Sequence, residues 1–294
     1  MLFGPAKHHL PLEVCMRQRF FSLATCFVVL ASGTVLAQAP KSRLGTSYLQ
    51  RANDRYSRGD IEGAIADFDV AITFDPQLAL AYNNRGVARE QKGDVDGAIA
   101  DYSRAIEINP GLAEGYANRA RTRLARRELD GAMADCDAAI RLNPRLAQVY
   151  NTRGSIRCEQ NNPNGAIADY SSAMAIDPRL AESYSNRGAV RRVRGDLDGA
   201  LADYDRSIRI NPRLPNTYNN RGNVWREKGR LDRAIADYDR AIELDPRLAL
   251  AYASRGLTRL LQGKTVDAEK DFARCLNLDA SLKPFIQENT RQVR

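Results

Sequence analysis

The chain has 294 residues, 44% of them hydrophobic and 27% charged, and a net charge of +8. Its only histidines are His8 and His9, and of its five cysteines three, Cys136, Cys158 and Cys275, lie beyond residue 37. An odd number of cysteines argues against a disulfide framework, and without those N-terminal histidines there is no His for a nucleophilic triad or a metal site. Length alone suggests one or two globular domains, but the pattern described next overrides it.

Residues 1–37 come first. Arg17 and Arg19 precede an apolar run from Phe20 to Leu30, and the small residues Ala37 and Ala39 follow. This is the basic, apolar, small-residue order of a secretory signal peptide. Cleavage is expected after Ala37, because cleavage after Ala39 would leave Pro40 first, and Met16 would be a start giving ordinary signal length. The competing readings are an uncleaved anchor helix over 20–36 and a lipoprotein site at Cys26, which has too little apolar sequence before it. Removal takes away Lys7, Arg17, Arg19 and Glu13, so the mature chain stays basic at +6. Residues 38–44 read as a short linker.

From residue 45 onward one pattern recurs every 34 residues. Pro76, Pro110, Pro144, Pro178, Pro212 and Pro246 mark it, and Ala64, Ala98, Ala132, Ala166, Ala200, Ala234 and Ala268 stand twelve residues before the proline slot, which Ala280 fills last. Seven copies result, over 45–78, 79–112, 113–146, 147–180, 181–214, 215–248 and 249–282. In the second copy Tyr82, Gly86, Ala98, Ile99, Tyr102, Ala105 and Ile106 fall at helical spacings in two segments, so each copy is predicted to form two short helices. Gly93 and Asp94 supply a stop and a polar start between them, and Pro110 ends the second helix by disfavouring helical dihedrals at Asn109. Pro163 fits the first turn of its helix. One copy cannot bury its apolar stripe alone, so the copies stack and the ends need caps; residues 283–294 are expected to cap the C-terminal end. Gly63, Gly97, Gly131, Gly165 and Gly199 recur inside the second helices, where glycine costs about 1 kcal/mol against alanine, and the sequence gives no reason for them.

The best-formed copy reads Tyr218-Asn219-Asn220-Arg221-Gly222, then Gly229, Ala234, Tyr238, Ala241 and Pro246. It resembles the tetratricopeptide repeat (TPR), with arginine where that family often has leucine. The resemblance implies an all-α fold, an α-solenoid winding as a right-handed superhelix, and a task in binding proteins. The clamp that some relatives use for chaperone tails is absent, since Asn219 and Asn223 have its spacing without its lysine.

Three charge columns and one polar column then claim attention. Arg51, Arg85, Arg119, Arg153, Arg187, Arg221 and Arg255 match Asp67, Asp101, Asp135, Asp169, Asp203, Asp237 and Asp271, copy by copy. A structural ion-pair ladder is expected, because a guanidinium fork fits a carboxylate in bidentate fashion. One turn on, Arg55, Arg89, Arg123, Arg157, Arg191 and Arg259, with Trp225 in the sixth copy, suggest a basic ridge whose stems pack and whose heads reach solvent. Just before the ladder arginines stand Gln50, Asn84, Asn118, Thr152, Asn186, Asn220 and Ser254. An Asn amide both donates and accepts, which suits an extended peptide backbone, and in related solenoids such asparagines line the inner groove. Asn84, Asn118, Asn186 and Asn220 are thus the expected backbone contacts. Four such bonds, each worth about 0.5–1.5 kcal/mol, fall short of an association cost of about 4–15 kcal/mol, so side-chain anchors are needed. Leu257 and Leu260, with Leu250 and Leu261, offer an apolar face that holds a ligand or a second copy, or is covered by Phe285 and Ile286.

The sequence therefore predicts an exported, periplasmic, bacterial, non-enzymatic scaffold. Its partner is expected to be a protein or peptide, with no cofactor, no nucleic acid, and membrane contact only through an uncleaved leader. Self-association stays open. The alternative is an inner-membrane-anchored structural component that touches anionic envelope material through its arginines.

Overall fold

The computed structural model describes residues 40–293. Among these there are fifteen α-helices, one short 3-10 turn and no strand. The helices are α1 (Pro40–Ser57), α2 (Ile61–Phe74), α3 (Ala79–Lys92), α4 (Val95–Ile108), α5 (Ala113–Ala125), α6 (Leu129–Leu142), α7 (Ala147–Glu159), α8 (Pro163–Ile176), α9 (Ala181–Val193), α10 (Leu197–Ile210), α11 (Pro215–Glu227), α12 (Leu231–Leu244), α13 (Ala249–Leu261), α14 (Thr265–Leu278) and α15 (Lys283–Val293). They form two compact units, one of α1–α7 and one of α8–α15. Within each, neighbouring antiparallel helices pack pairwise, the architecture of an α-solenoid. The leader expected over residues 1–37 lies outside the described residues.

Helix α1 begins at Pro40, so residues 40–44 are helical rather than a linker. Proline is at home there, because a first-turn amide has no partner within the helix. At the other end, Leu282 and Ile286 bury against Tyr252, Ala253 and Cys275, with Phe285 beside them. The tail therefore covers the start of α13 and the end of α14, while Leu261 stays 47% exposed.

Small residues set the spacing inside each pair. A Cβ on Gly86 would sit 2.7 Å from the Tyr102 ring, and one on Gly222 or Gly256 would sit 2.6 Å from Tyr238 or Phe272. In the third copy the ring is replaced by Cys136, and the facing slot is Ala120. The glycines within the second helices also acquire a reason. Gly63, Gly97 and Gly199 donate their amides to the helix-capping carboxylates of Asp60, Asp94 and Asp196 at 3.0, 3.0 and 2.9 Å. The other oxygen of each cap occupies the place a Cβ would take. Asn162 caps Gly165 in the same manner at 3.0 Å. Where the cap position is Arg230 or Lys264, no side chain caps the helix, and the glycine gives way to Arg233 and Asp267. The helix-stop slot is filled by Gly93, Gly195, Gly229 and Gly263 at positive φ, and by Arg127 and Asn161 at φ 62° and 56°.

Candidate partner-binding face

The arginine column forms the expected ladder within each unit. Arg51 Nε and Nη2 donate to the two Asp67 oxygens at 2.7 and 2.6 Å, and Arg85 grips Asp101 at 2.9 and 2.6 Å. Arg119–Asp135, Arg187–Asp203, Arg221–Asp237 and Arg255–Asp271 repeat this fork. Arg153 donates to Asp137 at 2.8 Å, and Asp169 is buried. Six of the seven guanidinium groups also lie near the ring of the tyrosine three residues earlier, as Arg85 does 5.4 Å from Tyr82, while in the fifth copy Arg206 lies over Tyr184.

A third nitrogen of each fork reaches back to the preceding copy. Arg85 Nη1 donates to Asp69, Arg119 to Ser103, Arg187 to Ser171, Arg221 to Asp205 and Arg255 to Asp239, at 2.5, 3.0, 2.9, 2.7 and 2.6 Å. One side chain thus ties two helices of its own copy and one of the copy before. The sequence reading missed this Asp/Ser column, which stands two residues after each ladder aspartate and could have been read from its alternation.

The second arginine column is not a free basic ridge. Arg89, Arg123, Arg191 and Arg259 donate through Nη1 to the ladder aspartates Asp101, Asp135, Asp203 and Asp271 at 2.8–2.9 Å. Their heads turn inward because a buried carboxylate has acceptor sites to fill that one fork leaves open. The sixth copy departs from this. Trp225 replaces the second arginine and stacks under Arg233, 4.9 Å away. Asp237 is left with Arg221, and burial pushes its carboxyl above the usual range against the pull of that arginine. Asp67, bonded to Arg51 and near Arg55, is held below it.

The polar column divides. Asn84 and Asn118 are each 1% exposed, and their amides are engaged internally. Asn118 donates to Asn83, Asn83 to Asn84 and Asn84 to Asn53, at 3.1, 3.0 and 2.9 Å. These two are rungs of a buried carboxamide chain, so their expected role as ligand contacts is corrected to a structural one. Asn186 and Asn220 are half-buried. Leu257 is 2% exposed and belongs to the core, while Leu260 is half-buried. In the second unit the amide chain breaks. Asn219 occupies the slot of Asn83, but the next copy offers Ser254 where the first unit offers Asn118. Asn219 is 2% exposed, and its Oδ1, like that of Asn216 one turn before it, has no hydrogen-bond partner.

The cysteines Cys136, Cys158 and Cys275 are all buried. Burial pushes the Cys275 thiol up to about 11. Among the described residues no group of His, Cys, Asp and Glu is arranged to hold a metal ion, and no helix is long and apolar enough to cross a membrane.

The TPR repeat model matches residues 52–93, 154–192, 190–225 and 222–263, more than half of the chain, and a tetratricopeptide repeat model matches 79–112. The chain is a TPR protein. No curated protein matches it. Among solved structures it is similar to a TPR protein from Parabacteroides merdae, at 20% identity and a TM-score of 0.65, over 85% of this chain and 99% of that one. It is also similar to PilF of Pseudomonas aeruginosa, at 19% identity and 0.63, over 73% and 97% of the two chains. The type IV pilus biogenesis factor PilW matches at 19% and 0.64, over 72% and 98%. These likenesses show the fold. TPR folds serve as protein-protein interaction scaffolds, and the family is generally non-catalytic.

Proposed function

We propose that this TPR protein is an exported scaffold that holds an extended segment of a partner protein, and that recognition centres on α11 rather than on Asn84 and Asn118. The observation that carries the reading is the unpaired, buried carboxamide oxygen of Asn219, with that of Asn216 beside it. An amide oxygen buried without a donor costs about 1–3 kcal/mol, and a peptide N–H arriving on this face supplies the donor that Ser254 does not. Asn220 and Asn186 occupy one slot of neighbouring copies, and Leu260 and the exposed Leu261 give an apolar edge on α13, the first helix of the next copy. Export to a bacterial periplasm rests on the order of charges and apolar residues over 1–37.

The test is affinity capture from an envelope extract with the full chain, followed by titration of the identified partner. Ser254→Asn restores the internal donor and is expected to weaken partner binding about tenfold while leaving helicity intact. Equal binding by Ser254→Asn and the parent would overturn the Asn219 assignment. Absence of any partner that competes specifically would overturn the scaffold reading. N-terminal sequencing of the exported form checks cleavage after Ala37.

A further inference from the structure

In the second unit Arg187, Arg191, Arg192, Arg221, Arg240, Arg255 and Arg259 are held by carboxylates, while three others recur together on one edge. Arg179, Arg213 and Arg247 occupy the same slot of the turns that join successive copies, and all three are exposed. None has a side-chain partner among the described residues. Their backbones are fixed alike: each amide donates to the Asx side chain two residues before it, Asp177, Asn211 or Asp245, at 2.9, 3.0 and 2.9 Å. Arg209, exposed at the last turn of α10, adds a fourth cation beside Arg213. The acids on this edge are already engaged, Asp177 and Asp245 with those amides and Glu243 with Arg240 at 2.9 Å. The exposed large apolar residues of the unit, Val193, Leu261 and Val266, lie at the opposite turns, within the copies.

We propose that this edge binds a soluble, linear phosphate polymer, with one guanidinium per copy contacting phosphate groups spaced several units apart along it. The chemistry favours phosphate because arginine stands at three successive slots, 179, 213 and 247, and its planar fork matches phosphate oxygens bidentately where lysine would act as a point charge. The apolar side chains exposed beside these arginines are Pro178, Pro212 and Pro246, with no large aliphatic or aromatic group that would anchor the edge in a bilayer.

The probe is fluorescently labelled long-chain inorganic polyphosphate, titrated against the full chain and followed by anisotropy at several salt concentrations. The triple variant Arg179→Gln, Arg213→Gln, Arg247→Gln is expected to lose at least ~10-fold in affinity. Its slope of log K on log salt should fall by about 2, because each phosphate contact in a single-stranded polyanion contributes about 0.7. The charge-matched variant Arg230→Gln, Lys264→Gln, Arg291→Gln changes three other exposed cations of the same unit and is expected to stay within ~2-fold of the parent. An equal loss in both variants, no loss in the first, or binding to phosphatidylglycerol vesicles without binding to polyphosphate would each overturn the proposal.

Discussion

Trp225 and Arg233 make the sixth copy an experiment already half done. In the first, second, third, fifth and seventh copies the buried ladder aspartate has two arginines near it, as Asp203 has Arg187 and Arg191 at 2.7–2.9 Å. Asp237 has Arg221 alone. The double variant Trp225→Arg, Arg233→Gly rebuilds the set found in the fifth copy. It adds one hydrogen bond to a charged group, worth about 1.5–3 kcal/mol. It removes an Arg–Trp contact of about 0.5–1 kcal/mol and places glycine in a helix, at about 1 kcal/mol, besides losing the packing of Trp225. Stability at neutral pH is therefore expected to change little, and the informative quantity is its dependence on pH. In the parent the folded carboxyl of Asp237 is raised. It contributes stability that is present below the unfolded pKa and is lost as pH rises through the folded value. In the variant the second guanidinium favours the charged form and lowers the carboxyl relative to the parent, so less stability is lost as pH rises through the parent's folded value. The difference in unfolding free energy, variant minus parent, should rise with pH between about 3 and 6, by about 1.4 kcal/mol for each pKa unit separating the two proteins. Urea unfolding across that range measures it, and the carboxyl carbon shift of Asp237 reports the titration directly. A parent Asp237 that titrates no higher than Asp67, or a variant whose Asp237 does not move, would refute the account.

Four further outcomes follow from the same contacts. Arg119→Leu leaves Asp135 buried without its fork and should cost about 3–5 kcal/mol in urea unfolding, whereas Ser103→Ala, which removes one neutral acceptor, should cost about 1 kcal/mol. Gly97→Ala should destabilise by about 1 kcal/mol through loss of the Asp94 cap, yet should stabilise by up to about 1 kcal/mol in an Asp94→Ala background; a double-mutant cycle that sums to zero would disprove the steric link. Gly86→Ala should cost about 1–3 kcal/mol by overpacking against Tyr102, and Tyr102→Cys should recover part of that, since the third copy already pairs Ala120 with Cys136. Val266→Asp with Ala273→Asp should change stability by less than about 0.5 kcal/mol, because both sites are exposed and no following copy presents an arginine to them.

The helices and the ladder were legible because both obey a fixed period. A 34-residue spacing of proline, alanine and glycine fixes which residues share a face, and matched columns of Arg and Asp leave few partners to choose from. What escaped was set by side-chain reach between copies. Ser103 and Asp69 occupy one slot and do the same work for Arg119 and Arg85, yet as letters they look unrelated. The second arginine column misled for a related reason: Arg89 and Arg85 converge on the same carboxylate, and a one-dimensional reading assigns each aspartate to one arginine. The asparagine column misled because resemblance alone cannot tell that Asn118 donates to Asn83 rather than to a ligand.

Several departures from the repeat are matched by a change in the residue they touch, although Ala52 faces Phe68 in the first copy and Gly131 is kept where Glu128 does not cap. Cys136 for tyrosine comes with Ala120 for glycine; Arg230 and Lys264 for a capping acid come with Arg233 and Asp267 for glycine; Val266 and Ala273 replace acceptors in the copy whose successor helix is the capping α15. Such paired changes mark positions held by packing, where a lone substitution would leave a collision or an empty acceptor. Ser254 is not matched in this way. It takes away the donor that its slot gives in the first unit, and Asn219 has not changed to suit, so an acceptor stays buried without a partner. Under the proposed function a partner's N–H supplies the missing hydrogen and offsets this cost of about 1–3 kcal/mol, and the unpaired oxygen is what separates Asn219 from the satisfied asparagines of the first unit.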